Sequence, residues 1–153
     1  MGNKSSVGLI HEQLTEQVIG AFFSVHRELG YGFLESVYEV SLFHTIADIG
    51  LEVRRQIPLD VWFRRRRVGL FKADIVVESA MIVELKAARN LVSSHEAQLL
   101  NALRATNIEV GILLNFGQKP TFKRLVFSNT RKRLRGRPRP IIDSGRTGIV
   151  PAG

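Results

Sequence analysis

The hydrophobic period of this chain changes at Gly50. Before it, apolar residues recur every three or four positions; after it, they alternate. From Glu12 to Leu29 the apolar set is Leu14, Val18, Ala21, Phe22, Val25 and Leu29, and Gly30 and Gly32 then interrupt it. A second set, Leu34, Val37, Tyr38, Leu42 and Ile46, runs until Gly50 supplies a C-terminal stop. Two helices joined by a sharp turn at Gly30-Tyr31-Gly32 are predicted. The alternation from Val53 to Phe63 predicts a long strand, ending at Arg64-Arg65-Arg66-Arg67, whose mutual repulsion suits a solvated turn. Two further strands are expected at about 68–78 and 81–88. Ser94 is expected to cap a third helix with Ala97, Leu99, Leu100 and Leu103 on its apolar side, closed by Asn107. "VGILLNF" (110–116) has the length and composition of a strand buried on both faces, and "FKRLVFS" (122–128) alternates like an edge strand. The expected fold class is therefore α/β, with a single mixed sheet flanked by helices.

Length and charge divide the chain in two. At 153 residues there is enough chain for one core. Seven Lys or Arg between 131 and 153 face one acid, Asp143, and without this block the net charge of +8 nearly vanishes. A domain over 9–129 and a basic, solvated tail over 130–153 are expected. The absence of cysteine excludes disulfides, thiolate zinc sites and cysteine nucleophiles, so any metal must sit on oxygen or imidazole. No apolar run reaches the length of a membrane span, and the first twenty residues lack a signal-peptide core. A cytoplasmic protein, with nucleoid association open, is expected. "MGNKSS" matches a myristoylation pattern at Gly2 and Ser6, but so short a match is also that of a frayed terminus.

"FKADIVVESAMIVELKAAR" (71–89) raises the chemical question. If the chain reverses around Ser79, paired residues sum to 158 and Asp74 lies opposite Glu84. Alternation puts Asp74 on a face with Lys72 and Val76, and Glu84 on one with Ile82 and Lys86. Ile75, Val77, Val83 and Leu85 complete the other, apolar face. Two neighbouring carboxylates either keep a proton or share a cation, and a hard divalent ion suits them. Lys86 is then placed to meet developing negative charge. The same residues also fit an exposed Lys–Glu–Asp cluster without function. Spacing alone does not decide.

Asp74, nine intervening residues and then Glu84-Leu85-Lys86 resemble the D-x(n)-E-x-K signature of the PD-(D/E)XK nuclease superfamily. "GFLESVY", with Gly32, Glu35 and Tyr38, resembles the motif of the GxxExxY family, a branch of that superfamily. The likeness extends through "VHRELG", "RRQIPLDV", "HEAQLLN" and "GILLNFG", over about residues 12–128. It implies a restriction-endonuclease-like αβββαβ core and cleavage of nucleic-acid phosphodiesters with Mg²⁺ or Mn²⁺. Carried over, Asp74 and Glu84 are metal ligands, Lys86 is the catalytic lysine, and Glu35 is the helix-borne glutamate that completes the site. Glu35 also suits a helix N-terminus without any metal. Gln98 resembles the glutamine of a Q-x-x-x-Y helix motif whose tyrosine position here is Ala102, which puts exonuclease-type phosphate contact in doubt. His95, one turn earlier, is a phosphate-contact candidate or a capping residue. Tyr38 either packs or bonds toward the site, and His26 and Arg27 read as a polar helix face.

In the tail, Arg135-Gly136-Arg137-Pro138 resembles an AT-hook core, in which Arg135 and Arg137 would enter a narrow minor groove. The alternative is a basic tail that binds any polyanion. The partner expected in either case is nucleic acid, DNA foremost, with a homodimer or larger complex helping so small a protein hold it. Against the nuclease stands a catalytically inactive nucleic-acid-binding module of the same fold.

Overall fold

The computed structural model describes residues 11–133. Gly2, Ser6, Arg135 and Arg137 lie outside them. Helices α1 (Glu12–Leu29) and α2 (Glu35–Asp48) come first, then strands β1 (Val53–Phe63), β2 (Arg66–Val77) and β3 (Met81–Lys86). Helix α3 (Ser93–Ala105), strands β4 (Val110–Phe116) and β5 (Pro120–Val126), and the short helix α4 (Asn129–Arg133) follow. The expected element order holds. No described helix is long and apolar enough to cross a membrane.

The five strands lie in chain order, and every neighbouring pair is antiparallel except β3 and β4. A parallel pair needs a crossover, and α3 supplies it. Helices α1 and α2 cover one face of the sheet, packing Val18, Phe22, Leu42 and Ile46 on Ile75, Val83, Leu85 and Ile112. Helix α3 covers the other with Leu99 and Leu103 on Leu59, Val76, Ile82 and Leu113. Strand β4, sandwiched between both layers, is buried along its whole length, as an unbroken apolar run requires.

Aromatic packing fixes where α2 begins. Tyr38 stacks on Phe116 of β4 with centroids 4.5 Å apart, and Phe22 of α1 meets the same ring edge-on at 4.8 Å. Such pairs are worth about 0.5–1.5 kcal/mol beyond their buried area. The Tyr38 hydroxyl donates to Gly30 O at 2.7 Å and accepts the Phe33 amide at 3.3 Å. It thereby closes the turn in which Gly30 and Gly32 hold φ of 70° and 108°, values that favour glycine. Tyr38 thus packs, and its hydroxyl bonds the turn rather than the site. His26 is the other anchor of this corner, its Nε2 lying 2.8 Å from Gly117 O.

Three local expectations are corrected. Helix α3 starts at Ser93 with Val92 as its N-cap, so Ser94 is not the cap, and after Ala105 its C-cap is Thr106 rather than Asn107. The folded body continues past residue 129: Lys132 is buried and its Nζ donates to Thr106 O at 2.9 Å and Ile108 O at 2.5 Å. Strict alternation also fails in β1 and β2. Val53 packs beneath α1 and α2, whereas Ile57 and Leu59 pack beneath α3. Ala73 and Val76 share one cluster although alternation would separate them. The interruption falls at Gln56, whose φ is 53°, and at Asp74 across from it, where the ladder passes from Arg55↔Ile75 to Ile57↔Ala73. Two strands crossing from one layer of the core to the other must change face somewhere, and they do so at the acidic residue.

Candidate active site

The hairpin has the register that a reversal around Ser79 predicts, with Val77 opposite Met81 and Ile75 opposite Val83. Glu78 and Ser79 turn it at φ of 53° and 50°, and the Ala80 amide donates to Val77 O at 2.9 Å. The ladder stops after Ile75↔Val83. Side chains take over from there. The Asp74 amide donates to Glu84 Oε1 at 3.2 Å, and the Leu85 amide donates to Asp74 Oδ2 at 2.8 Å. Both carboxylates are thus held by main chain.

Glu84 is buried at 7% exposure, between Ile82 and Lys86 on the strand and beside Leu113 of β4. Burial foremost, and then the neighbouring Asp74 charge, push its carboxyl up to about 9, against a weaker opposing pull from Lys86. Burial also raises Asp74, and the charges of Glu39 and Glu35 add to this while the Leu85 amide opposes it. The pair demands a cation or a proton.

Lys86 ends β3 with its Nζ donating to Gln98 Oε1 of α3 at 3.3 Å. Glu35, the first residue of α2, accepts the Ala87 amide at 3.4 Å, one residue past Lys86. Four elements thus bring Asp74, Glu84, Lys86, Glu35 and Gln98 to one end of β3. His95 instead turns back on its own helix, its Nδ1 accepting the Val92 amide at 3.2 Å. Ala102 is buried in the α3 layer of the core. Among the described residues no three His, Cys, Asp or Glu side chains are gathered closely enough to hold a metal ion together. Asp74 and Glu84 offer two oxygen ligands, a donor set that fits a hard divalent cation.

Two supporting groups escaped sequence reasoning. Asn115, opposite Lys86 in the β3–β4 register, uses its buried amide on both main-chain groups of one residue: Oδ1 accepts the Ala88 amide and Nδ2 donates to Ala88 O, each at 2.9 Å. This clamps the segment that follows Lys86. Glu39, one turn into α2, is buried at 7% exposure and receives Arg55 at 2.8 Å and 3.1 Å and Gln56 Nε2 at 2.5 Å. It thereby ties α2 to the β1 residue opposite Asp74. A polar residue inside "VGILLNF" was the available signal for Asn115; Glu39 offered none.

A mixed five-stranded sheet between helix layers, with this acidic pair and lysine at one strand end, has the layout of a restriction-endonuclease-like α/β domain. Residues 12–125 match the family model of the PD-(D/E)XK nuclease superfamily, and the chain belongs to that superfamily. Such domains are typically nucleases and usually use divalent metals such as Mg²⁺. Among solved structures, the crystal structure of SSO0001 is similar, at 13% identity over 82% of this chain, with a TM-score of 0.43. The chain spans 65% of the length of that protein. No curated protein matches it.

Proposed function

We propose that this protein is a metal-dependent nuclease of the GxxExxY type that hydrolyses phosphodiester bonds of nucleic acid, DNA foremost. The observation that carries this reading is the pinned pair Asp74 and Glu84 beside Lys86. Asp74 and Glu84 would hold the metal, with Glu35 released from the Ala87 amide as a further ligand. A bound Mg²⁺ or Mn²⁺ would polarise the phosphoryl group and lower the pKa of the attacking water. Lys86 presents its ammonium to the charge that builds on the phosphoryl oxygens, and Gln98 orients it through the 3.3 Å hydrogen bond. Gln98 and His95 are candidates for phosphate contact, and Arg135 and Arg137 for binding along the duplex.

The test compares wild type with Lys86→Ala and Glu84→Ala on linear, circular and single-stranded DNA and on RNA, with and without Mg²⁺ or Mn²⁺. Metal-dependent cleavage that both variants lose is expected. Binding without cleavage in the wild type would support the inactive module instead, and equal activity in all three preparations would end the assignment.

A further inference from the structure

A groove of about 400 Å³ opens beside Lys86, between α3 and the outer part of the β1–β2 hairpin. Only Ile75, Val76 and Val77 of β2 pair with β3, so the hairpin projects beyond it as a two-stranded arm. Val61, Trp62 and Phe71 of the arm form one wall; Asn101, Ala102 and Arg104 of α3 form the other. A register shift between Val61 and Trp62 interrupts alternation, so these neighbours line the same groove. Gln98, which accepts the Lys86 ammonium at 3.3 Å, is also a lining residue, so the groove reaches to within one hydrogen bond of Lys86.

Two further features narrow the occupant. The wall opposite the aromatic one is polar: Gln98 and Asn101 of α3 line it and are exposed, and Asn101 Oδ1 accepts Arg104 at 3.3 Å. The volume lies at the small end of the range of small-molecule pockets, roughly 300–1,000 Å³, and is too small for a duplex. An aromatic wall with polar groups opposite suits a flat heterocycle that stacks on one side and accepts hydrogen bonds at its rim.

We propose that this groove takes one unstacked nucleobase of the substrate strand, next to the phosphate held at Lys86, with Trp62 and Phe71 as stacking walls. The inference rests on the nuclease reading, which is what brings a strand to Lys86. The base is expelled from its stack into the groove, and Gln98 and Asn101 meet its edge while the backbone stays outside. Recognition of this kind is tolerant of sequence, because every base has a face to stack.

Trp62 is the only tryptophan in the chain, so its fluorescence reports on the groove directly. The full-length protein, kept in EDTA to prevent cleavage, is titrated with a labelled single-stranded oligonucleotide and with the same oligonucleotide made abasic. Label anisotropy measures binding, and Trp62 emission measures occupancy. The base-containing strand is expected to quench Trp62 and the abasic strand to leave it unchanged. Trp62→Ala should weaken the first by roughly 5- to 100-fold without affecting the second, and Trp62→Phe should restore most of the loss. Binding of both strands with unaltered or identical Trp62 emission overturns the groove assignment and leaves the nuclease reading standing. Binding of neither strand overturns the groove assignment; the nuclease reading, whose metal EDTA removes, is tested separately by the cleavage assay.

Discussion

Asp74 and Glu84 exchange main-chain partners: Glu84 accepts the amide of Asp74, and Asp74 accepts the amide of Leu85, the residue after Glu84. The backbone ladder ends after Ile75↔Val83, and just beyond it these two amides are bonded by carboxylates instead. The acids are therefore positioned before any ligand arrives, and the rotamer entropy of fixing them, up to about 2 kcal/mol for a glutamate, is already spent in folding.

That arrangement makes stability depend on pH. The unfolded chain releases the Glu84 proton near 4.5, whereas the folded chain keeps it to about 9. Between these values the folded state binds more protons, so stability is fully present below pH 4.5 and is lost as pH rises toward 9. The steepest loss is about 1.4 kcal/mol per pH unit. Thermal melts in EDTA between pH 5 and 8 should show it, and Glu84→Gln should flatten the slope. A divalent ion competes with that proton, so the melting shift produced by Mg²⁺ or Mn²⁺ should grow with pH; a shift independent of pH would contradict this.

Asn115 should matter to stability and to activity at once. Asn115→Leu fits an apolar strand but leaves both the amide and the carbonyl of Ala88 without partners. A loss of about 1–3 kcal/mol is expected for each stranded buried group, less where water reaches the partly exposed peptide. Because this clamp holds the chain just past Lys86, cleavage should fall further than the folded fraction does. Denaturant titration beside a turnover assay separates the two.

Two glycines should respond to alanine with opposite signs. At Gly117 an added Cβ would lie 2.3 Å from Ala88 O, a backbone atom, so Gly117→Ala should destabilise the same clamp. Gly20, in the interior of α1, has nothing within 4 Å of such a Cβ. Gly20→Ala should stabilise by about 0.5–1 kcal/mol through helix propensity. Urea midpoints of the two variants check both signs.

The tail is best removed after Arg133. Deleting 131–153 takes away Lys132, whose ammonium bonds the carbonyls of Thr106 and Ile108, and should cost about 1–3 kcal/mol for the stranded acceptors. Deleting 134–153 keeps Lys132 in place and should weaken DNA binding and flatten its salt dependence. Unchanged DNA binding after the shorter deletion would remove Arg135 and Arg137 from the nucleic-acid contact.

Periodicity and turn chemistry determined the order of elements, the helix-covered strand β4 and the pairing of Val77 with Met81, because each is set by residues near one another in the chain. The single acidic face that alternation drew through Lys72, Asp74 and Val76 was not preserved. Only the packing of α1 and α2 on one side and α3 on the other obliged β1 and β2 to change face at Gln56 and Asp74. Likewise Asn115 reaches Ala88, Glu39 reaches Arg55 and Gln56, and Lys132 reaches Thr106 across gaps that no local pattern spans. A buried polar group announces that it must have a partner. Which partner it has is decided by the folding of distant segments into contact.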